Sequence, residues 1–179
     1  GAVIIHYRAH FVEKLRQTAP AIHGDFSGGR EALGLRYETV SSVSDPLGPT
    51  KVIFSELLEH QERHRTAEIA SRQCLSGPHK DDLMVEIDGS PAKTYASQGQ
   101  TRTAALSLKL AAREIFCQDS GEYPVLLLDD VLSELDPRRQ EFVLNRIAGG
   151  QVFITCCEDD RLERMLRGKV LRIQDGRLL

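Results

Sequence analysis

The stretch PVLLLDDVLSELD, from Pro124 to Asp136, decides the predicted fold. Four apolar residues end abruptly in two adjacent carboxylates, Asp129 and Asp130. A short continuous apolar run is typical of a central parallel strand that is buried on both faces. Because ligands in such sheets bind beyond the carboxyl ends of the strands, we predict that both acids lie at the ligand-binding edge of an α/β sheet.

The elements after this strand alternate as expected for a parallel sheet. Pro137 is well placed at the start of a helix that runs to about Ala148. The run QVFIT (151–155) predicts the next strand, and a charged helix is predicted from Asp159 to Leu166. The closing run KVLRIQDGRLL predicts a last strand with its own turn.

A β-hairpin and a long helix are predicted before this strand. Residues 83–87 alternate in polarity, and the turn DGSP and a return strand KTYA follow them. Helix-forming residues are then dense from Thr101 to Phe116. Residues 76–136 carry five basic and eleven acidic side chains, which favours a metal ion over nucleic-acid phosphate as the first partner of this region.

The first 75 residues have a different pattern. They predict a helix ending near Gly24, a strand over residues 33–39, and a charged helix from about Thr50 to Cys74 with too few apolar residues to be buried. We assign residues 1–75 to a mainly helical arm with a short strand, and residues 76–179 to an α/β lobe. No initiator Met or capping residue precedes the first helix, so we expect this arm to be truncated at its start.

Composition excludes several classes of protein. The 179 residues are 41% hydrophobic and can bury a core. No apolar run approaches the length of a membrane span, and no signal sequence is present, so a cytoplasmic protein without a membrane partner is predicted. The four cysteines include no CxxC pair and are predicted to be reduced and mostly buried.

The paired acids suggest phosphoryl-transfer chemistry. Neighbouring residues on a strand point to opposite sides, so Asp129 can bind Mg²⁺ while Asp130 orients or deprotonates an attacking water. These roles are those of a Walker B element. The alternative, that the two carboxylates only solvate the end of a strand, stays open at this point.

The run ASQGQTRTAALSLKLAARE (96–114) supplies a second element. Ser97 precedes a strong helix at the N-cap position, Gly99 permits close backbone approach, and Gln100 adds a polar head. Amide groups and the positive end of the helix dipole make such a start suitable for a phosphate. Taken alone, the run is more often an ordinary capped helix.

The combination of these elements resembles the second half of an ABC-type ATPase head. The runs SGPHKDDL, ASQGQTRTAALSLKLA and LLLDDVLSELD, in this order, resemble the RecF family of bacterial recombination mediators, and the resemblance covers essentially all 179 residues. It implies an α/β fold: the C-terminal lobe of an ABC-type ATPase head, with a parallel sheet and a β-hairpin, joined to the helical arm. It also implies ATP clasped between the subunits of an ATP-dependent homodimer.

The resemblance implies a role for each matching residue. Asp129 would bind Mg²⁺ and Asp130 would be catalytic, both in cis. The signature residues, which would contact the γ-phosphate of ATP in trans, are Ser97, Gln98, Gly99 and Gln100. The D-loop would include Ser133 and Asp136, and Thr155 would occupy the switch position, where transporter-type heads carry a histidine.

The function implied is that of an ATP-controlled DNA-binding protein in DNA repair and replication-fork recovery. It would bind single- and double-stranded DNA, work with RecR and RecO, and help to load RecA at single-strand gaps. The sequence lacks the P-loop pattern GxxxxGK followed by Ser or Thr. We therefore expect this chain alone to bind ATP poorly and to hydrolyse essentially none. Another SMC-like head, or a non-enzymatic DNA- or protein-interaction module, remains an alternative.

Two further sets of residues have simpler interpretations. The pairs His6/His10 and His60/His64 are spaced to share helix faces, but HQERH lacks the order of HExxH, so solvated helix faces are predicted rather than metal sites. The segment Gly77–Asp82 is predicted to fix the hairpin structurally.

Overall fold

The computed structural model describes residues 1–39, 43–157 and 168–178. The chain divides into two compact units, Gly1–Ile115 and Phe116–Leu179. This division differs from the predicted boundary at 75/76, because a strand of the predicted arm pairs with a strand of the predicted lobe. The assignment of 1–75 as a mainly helical arm and 76–179 as an ATPase lobe stays a prediction.

The first unit is built from helices around a three-stranded antiparallel sheet of order β1-β2-β3. Its elements in chain order are α1 (Ala2–Ser27), β1 (Leu33–Glu38), α2 (Thr50–Ser71), β2 (Asp82–Ile87), β3 (Ser90–Pro91), α3 (Ala92–Tyr95) and α4 (Gln98–Ser120), whose last residues belong to the second unit.

The predicted hairpin is present, but the prediction of its return strand is wrong. β3 contains only Ser90 and Pro91, and the first three residues of the predicted strand KTYA (93–96) belong to the short helix α3, Ala92–Tyr95. Pro91 has no N–H to continue the ladder and is instead well suited to the start of a helix, so pairing stops there.

Helix α1 extends beyond Gly24, where it was predicted to end. Phe26 and Ser27 are buried in its last turn. Gly28 then adopts a left-handed conformation with φ 67°, and the Gly29 amide donates to the Gly24 carbonyl at 2.7 Å. The glycine pair closes the helix because these positive φ angles carry no steric cost without a Cβ.

Helices α1 and α2 share an apolar cluster with β1. Ile5 and Ile53 are completely buried at its centre, and the half-buried Tyr37 and Leu57 pack against it. In α2 the buried residues are Ile53 and His60 alone. The prediction that this helix has too few apolar residues to be buried is therefore confirmed.

The segment Gly77–Asp82 is held by side chains from the helices and from β1. Arg8 donates to the Pro78 carbonyl, and the Tyr37 hydroxyl donates to Asp81 Oδ2 at 2.5 Å. Burial, together with the Asp81 carboxylate, raises the pKa of Tyr37 above its ordinary value. These contacts agree with the structural interpretation of this segment.

The second unit contains the predicted strand–helix–strand alternation. Its elements are β4 (Leu126–Asp129), a 3₁₀ turn (Leu132–Glu134), α5 (Pro137–Arg146), β5 (Val152–Thr155), β6 (Ile173–Gln174) and β7 (Arg177–Leu178). β4 and β5 form a parallel pair, whereas β6 and β7 form an antiparallel hairpin. The predicted helix over 159–166 lies outside the described residues.

Strand β4, which ends at Asp129, is buried on one face only. Leu126 and Leu128 are buried, whereas Leu127 is 57% exposed and its partner on β5, Phe153, is 51% exposed. The prediction of burial on both faces is therefore wrong for this chain. In its described part, packed side chains cover only the face that carries Leu126 and Leu128.

Cysteine exposure also differs from the prediction. None of the four cysteines forms a disulfide, but Cys74, Cys156 and Cys157 are exposed rather than buried. Among the described residues, no helix is both long enough and apolar enough to cross a membrane.

The prediction of a solvated helix face is wrong for His60, which is buried. His60 and His64 stack with ring centroids 4.0 Å apart, and His60 Nδ1 lies 2.8 Å from Ser76 Oγ. Over residues 1–39, 43–157 and 168–178, no group of three or more potential metal-ligating side chains is found. Burial, and secondarily the nearby His64 and Arg63, lowers the pKa of His60.

This lowered pKa predicts a pH-dependent stability. In the unfolded chain His60 has an ordinary pKa of about 6.5, so the unfolded state takes up the proton first as the pH falls. The free energy of unfolding should therefore decrease as the pH is lowered through about 6.5 toward the folded-state pKa. Urea titrations between about pH 7.5 and 5.5 should show a smaller pH dependence for His60→Gln than for the unsubstituted chain. The exposed His10, as His10→Gln, is the control; equal slopes for all three proteins would contradict the assignment.

Candidate nucleotide and metal site

The two predicted acids lie at the carboxyl end of β4, as expected. Asp129 is the last residue of the strand and pairs with Thr155, the last residue of β5. Both Asp129 and Asp130 are exposed. Because the two parallel strands end together, the chain brings a hydroxyl group next to the first carboxylate.

Thr155 links the two acids to β5. Its Oγ1 donates to Asp129 Oδ1 and accepts from the Asp130 amide, with an N–O distance of 3.0 Å. The same amide also lies 3.1 Å from the Thr155 carbonyl oxygen. The residue predicted at the switch position is thus in direct contact with the metal-ligand candidate.

Asp130 does not continue the strand. Its φ of 50° turns the backbone into the left-handed region, so strand alternation does not set the direction of its side chain. Ser133 Oγ instead lies 2.5 Å from Asp130 Oδ1 and 2.9 Å from its carbonyl oxygen. The carboxylate therefore faces the 3₁₀ turn, which leaves Oδ2 for another group.

The predicted D-loop is a well-braced helix start. Asp136 caps α5, since its Oδ1 accepts from the amides of Arg138 and Arg139 at 3.1 Å each. The buried Gln140 donates from Nε2 to the Leu132 carbonyl at 2.9 Å. Ser133 and Asp136 therefore both have local partners that fix the loop between β4 and α5.

The two acids fit a magnesium ion that takes most of its ligands from elsewhere. In the described part of the chain, no arginine or lysine forms an ion pair with Asp129 or Asp130. Mg²⁺ is commonly bound by one or two protein carboxylates together with substrate phosphates and water. An exposed carboxylate at this position meets that requirement without a cage of protein ligands.

The predicted signature helix begins with a reciprocal cap in the first unit. Ser97 Oγ accepts from the Gln100 amide at 3.2 Å, and Gln100 Oε1 accepts from the Ser97 amide at 2.9 Å. This is a capping box. Ser97, Gln98 and Gly99 are exposed, and a Cβ added at Gly99 would meet no atom within 4 Å.

The cap is connected to two residues that the sequence did not single out. Gln100 Nε2 donates to Glu31 Oε1 at 3.1 Å, and Glu31 Oε2 lies 3.1 Å from Nε2 of the completely buried His23. The signal in the sequence was weak: His23 shares the buried face of α1 with Ala19 and Phe26. A histidine at such a position is a candidate for a specific polar partner.

Curated relatives match the chain from end to end. No family model matches it. It is 42% identical over 182 residues to the DNA replication and repair protein RecF of Bacillus subtilis, covering 100% of this chain and 49% of that protein. The RecF of Clostridium kluyveri is 39% identical, with 97% and 49% covered. The chain thus spans about half the length of the curated relatives it matches.

Two solved structures have the same fold. One, of the recombination mediator protein RecF-ATPrS in the RecFOR pathway, matches with a TM-score of 0.82 and 35% identity over 99% of this chain and 46% of that one. The other, of RecF-ATP in the same pathway, has a TM-score of 0.80, 34% identity and the same coverage of both chains. The chain is therefore an α/β protein built like part of an ATP-associated recombination protein. Its resemblance to the carboxy-terminal half of RecF is confirmed along its whole length.

The cap at α5 predicts a measurable stability difference. Asp136→Ala removes the acceptor for two amides and should lower the free energy of unfolding by about 1 kcal/mol. Asp136→Asn keeps the acceptor and should lower the free energy of unfolding by at most about a few tenths of a kcal/mol. Urea unfolding followed by circular dichroism measures both, with Glu141→Ala on the exposed side of α5 as the control. Equal stabilities for the alanine and asparagine variants would show that the cap contributes nothing.

Proposed function

We propose that this chain supplies the metal-binding acids and the signature helix of a RecF-like, ATP-dependent DNA-binding protein. The observation that carries the proposal is the cluster at the ends of β4 and β5, where the exposed Asp129 and Asp130 share one threonine. An ordinary solvated strand end requires no hydroxyl that joins the carboxylate of one acid to the backbone amide of the next. The end-to-end similarity to RecF-ATP structures supports ATP as the nucleotide.

In the proposed site each acid has a distinct task. Asp129, oriented by Thr155, would hold Mg²⁺. The ion would neutralise phosphate charge and the developing charge of phosphoryl transfer. Asp130, with Oδ1 held by Ser133, orients the attacking water through its other oxygen. The brace of Asp136 and Gln140 on the intervening loop keeps Ser133 in place.

The signature helix acts on the nucleotide of a second subunit in this proposal. Ser97 Oγ accepts a hydrogen bond in the capping box, which leaves its own proton to donate to a phosphate oxygen. The amides of Gln98 and Gly99, in the first turn of α4, have no carbonyl partner within the helix. The open space at Gly99 allows a phosphate to approach them closely.

For the whole protein we propose the role of a recombination mediator. ATP-dependent dimerisation would control binding to single- and double-stranded DNA, and RecO and RecR would be partners in loading RecA at single-strand gaps. The support is the similarity to proteins described as the recombination mediator RecF in the RecFOR pathway. Another SMC-like head is disfavoured because curated RecF proteins match the chain from end to end.

The metal and catalytic assignments predict a loss of ATP hydrolysis. The chain should be joined behind the amino-terminal half of Bacillus subtilis RecF, and phosphate release should be measured. Asp129→Ala and Asp130→Ala should each lower kcat by at least about a hundredfold, since each removes transition-state stabilisation. The control is Glu122→Ala, a substitution of an exposed residue, and this variant should hydrolyse ATP at the normal rate.

The chain without its joined half should show no turnover, because the P-loop pattern is absent from it. Hydrolysis by the lone chain that survives Asp129→Ala would refute the site. An inactive hybrid that folds and binds DNA would favour the non-enzymatic interaction module.

The signature assignment predicts a defect in dimerisation. Ser97→Arg places a long charged side chain at the start of α4 and should block ATP-driven dimerisation of the hybrid while leaving ATP binding largely intact. Light scattering with and without ATP measures the first effect, and equilibrium binding of a fluorescent ATP analogue measures the second. Ser120→Arg, at the exposed other end of the same helix, is the matched control. Normal dimerisation by the Ser97 variant would exclude a role in trans.

A further inference from the structure

We propose that Glu31 and His23 are positioning residues for the signature serine, acting through Gln100. Glu31 holds the carboxamide of Gln100, Gln100 holds Ser97, and His23 holds Glu31. The functional part of this inference rests on the proposed role of Ser97 at a phosphate, but the positioning itself concerns only residues of the first unit.

Gln100 has both ends of its carboxamide engaged. Oε1 accepts from the Ser97 amide at 2.9 Å, and Nε2 donates to Glu31 Oε1 at 3.1 Å. The opposite orientation of the amide would set two donors against each other at Ser97 and two acceptors against each other at Glu31. The Glu31 carboxylate therefore determines which way the Gln100 side chain points.

His23 fixes the carboxylate from the other side. Its ring is completely buried, with Nε2 3.1 Å from Glu31 Oε2 and Nδ1 3.3 Å from Ser107 Oγ. Ser107 Oγ lies closer, at 2.7 Å, to the Thr103 carbonyl and donates there. The His23 ring therefore lies between the Glu31 carboxylate and the body of α4.

The backbone around Glu31 is also fixed. Its amide lies 3.3 Å from Ser27 Oγ, and this serine is buried in the last turn of α1. The Arg30 side chain donates from Nε to the Ser27 carbonyl at 2.8 Å. The loop that follows the glycine pair therefore presents Glu31 at one place, so α1 and α4 are connected through the cap.

This arrangement changes the role expected for Gln100. Both of its polar ends are used within the chain, so Gln100 acts on the nucleotide through Ser97 rather than by contact. Ser97, by contrast, keeps a hydroxyl proton and an exposed position. Preorganised donors stabilise a transition state because they need no reorganisation during the reaction, which is the benefit that the Glu31–Gln100 brace provides.

Hydrogen exchange in this chain tests the positioning directly. Glu31→Ala removes the acceptor of Gln100 Nε2. Hydrogen exchange at the backbone amide of Gln100, which donates to Ser97 Oγ, should become about three- to tenfold faster, as expected when a hydrogen bond of about 1 kcal/mol is lost. Glu31→Gln retains an acceptor oxygen and should restore most of the protection. Glu62→Ala, an exposed substitution on α2, is the control. Thermal unfolding by circular dichroism confirms that the variants are folded, and mass spectrometry or NMR measures the exchange.

The functional consequence is measured in the hybrid protein. Glu31→Ala should lower kcat for ATP hydrolysis about three- to tenfold with KM for ATP unchanged, because the signature acts on the transition state and not on the first binding of ATP. Added to Gln100→Ala, the same substitution should have no further effect, since it acts through that side chain. Glu31→Gln should recover most of the rate.

The outcomes separate this inference from the proposed function. Unchanged exchange at Gln100 in Glu31→Ala overturns the positioning, whatever the hydrolysis rate. Faster exchange with a normal kcat, in a hybrid that Asp129→Ala inactivates, overturns the link from Glu31 to catalysis and leaves the proposed function standing. A hybrid whose hydrolysis is insensitive to Asp129→Ala refutes the proposed function instead, while the exchange result still decides the positioning.

Discussion

The parallel pairing of β4 with β5 is the constraint on which the candidate metal site depends. It sets Asp129 opposite Thr155 and continues through the Asp130 amide, which lies 3.1 Å from the Thr155 carbonyl. Burial of Leu126 and Leu128 on one face selects this register, because a slip of one residue would turn both leucines to solvent. The same slip would move Asp129 away from the threonine. Apolar packing on one face therefore positions a polar cluster at the end of the strand.

The signature helix is positioned by polar contacts rather than by apolar packing. Ser97, Gln98 and Gly99 are exposed and have no core of their own. Their position depends on the capping box and on the Glu31–His23 pair, which connects the cap to the buried side of α1. Hydrogen bonds are directional, whereas apolar contacts tolerate sliding. A network of this kind suits a segment that must remain accessible and still keep a defined geometry.

Short-range patterns predicted much of this structure. The apolar run before Asp129, the alternation in β1 and β2 and the helix-forming run of α4 each report a local preference that the fold also satisfies. The prediction of the return strand was wrong because Pro91 cannot continue the hydrogen-bond ladder between the strands, and this effect outweighed the β-propensity of the residues after it. Strand alternation does not set the direction of Asp130, because this left-handed residue ends the alternation. Thr155 was correctly predicted at the end of a strand, but its contact with the Asp129 carboxylate and the Asp130 amide required the register of two strands.

The Glu31–His23 connection could not be predicted because it joins residues far apart in the sequence. Glu31 and Gln100 are 69 positions apart, and His23 and Ser107 are 84 apart. The face of β4 could not be predicted for a related reason, since a run of four apolar residues does not say how many of its faces are covered. In the described residues, the exposed face carries Leu127 and Phe153 and also the side chains of Asp129 and Thr155. Any group that covered these apolar side chains would also remove water from around the carboxylate. The attraction between that carboxylate and a divalent cation would then increase, because electrostatic interactions strengthen as the local dielectric falls.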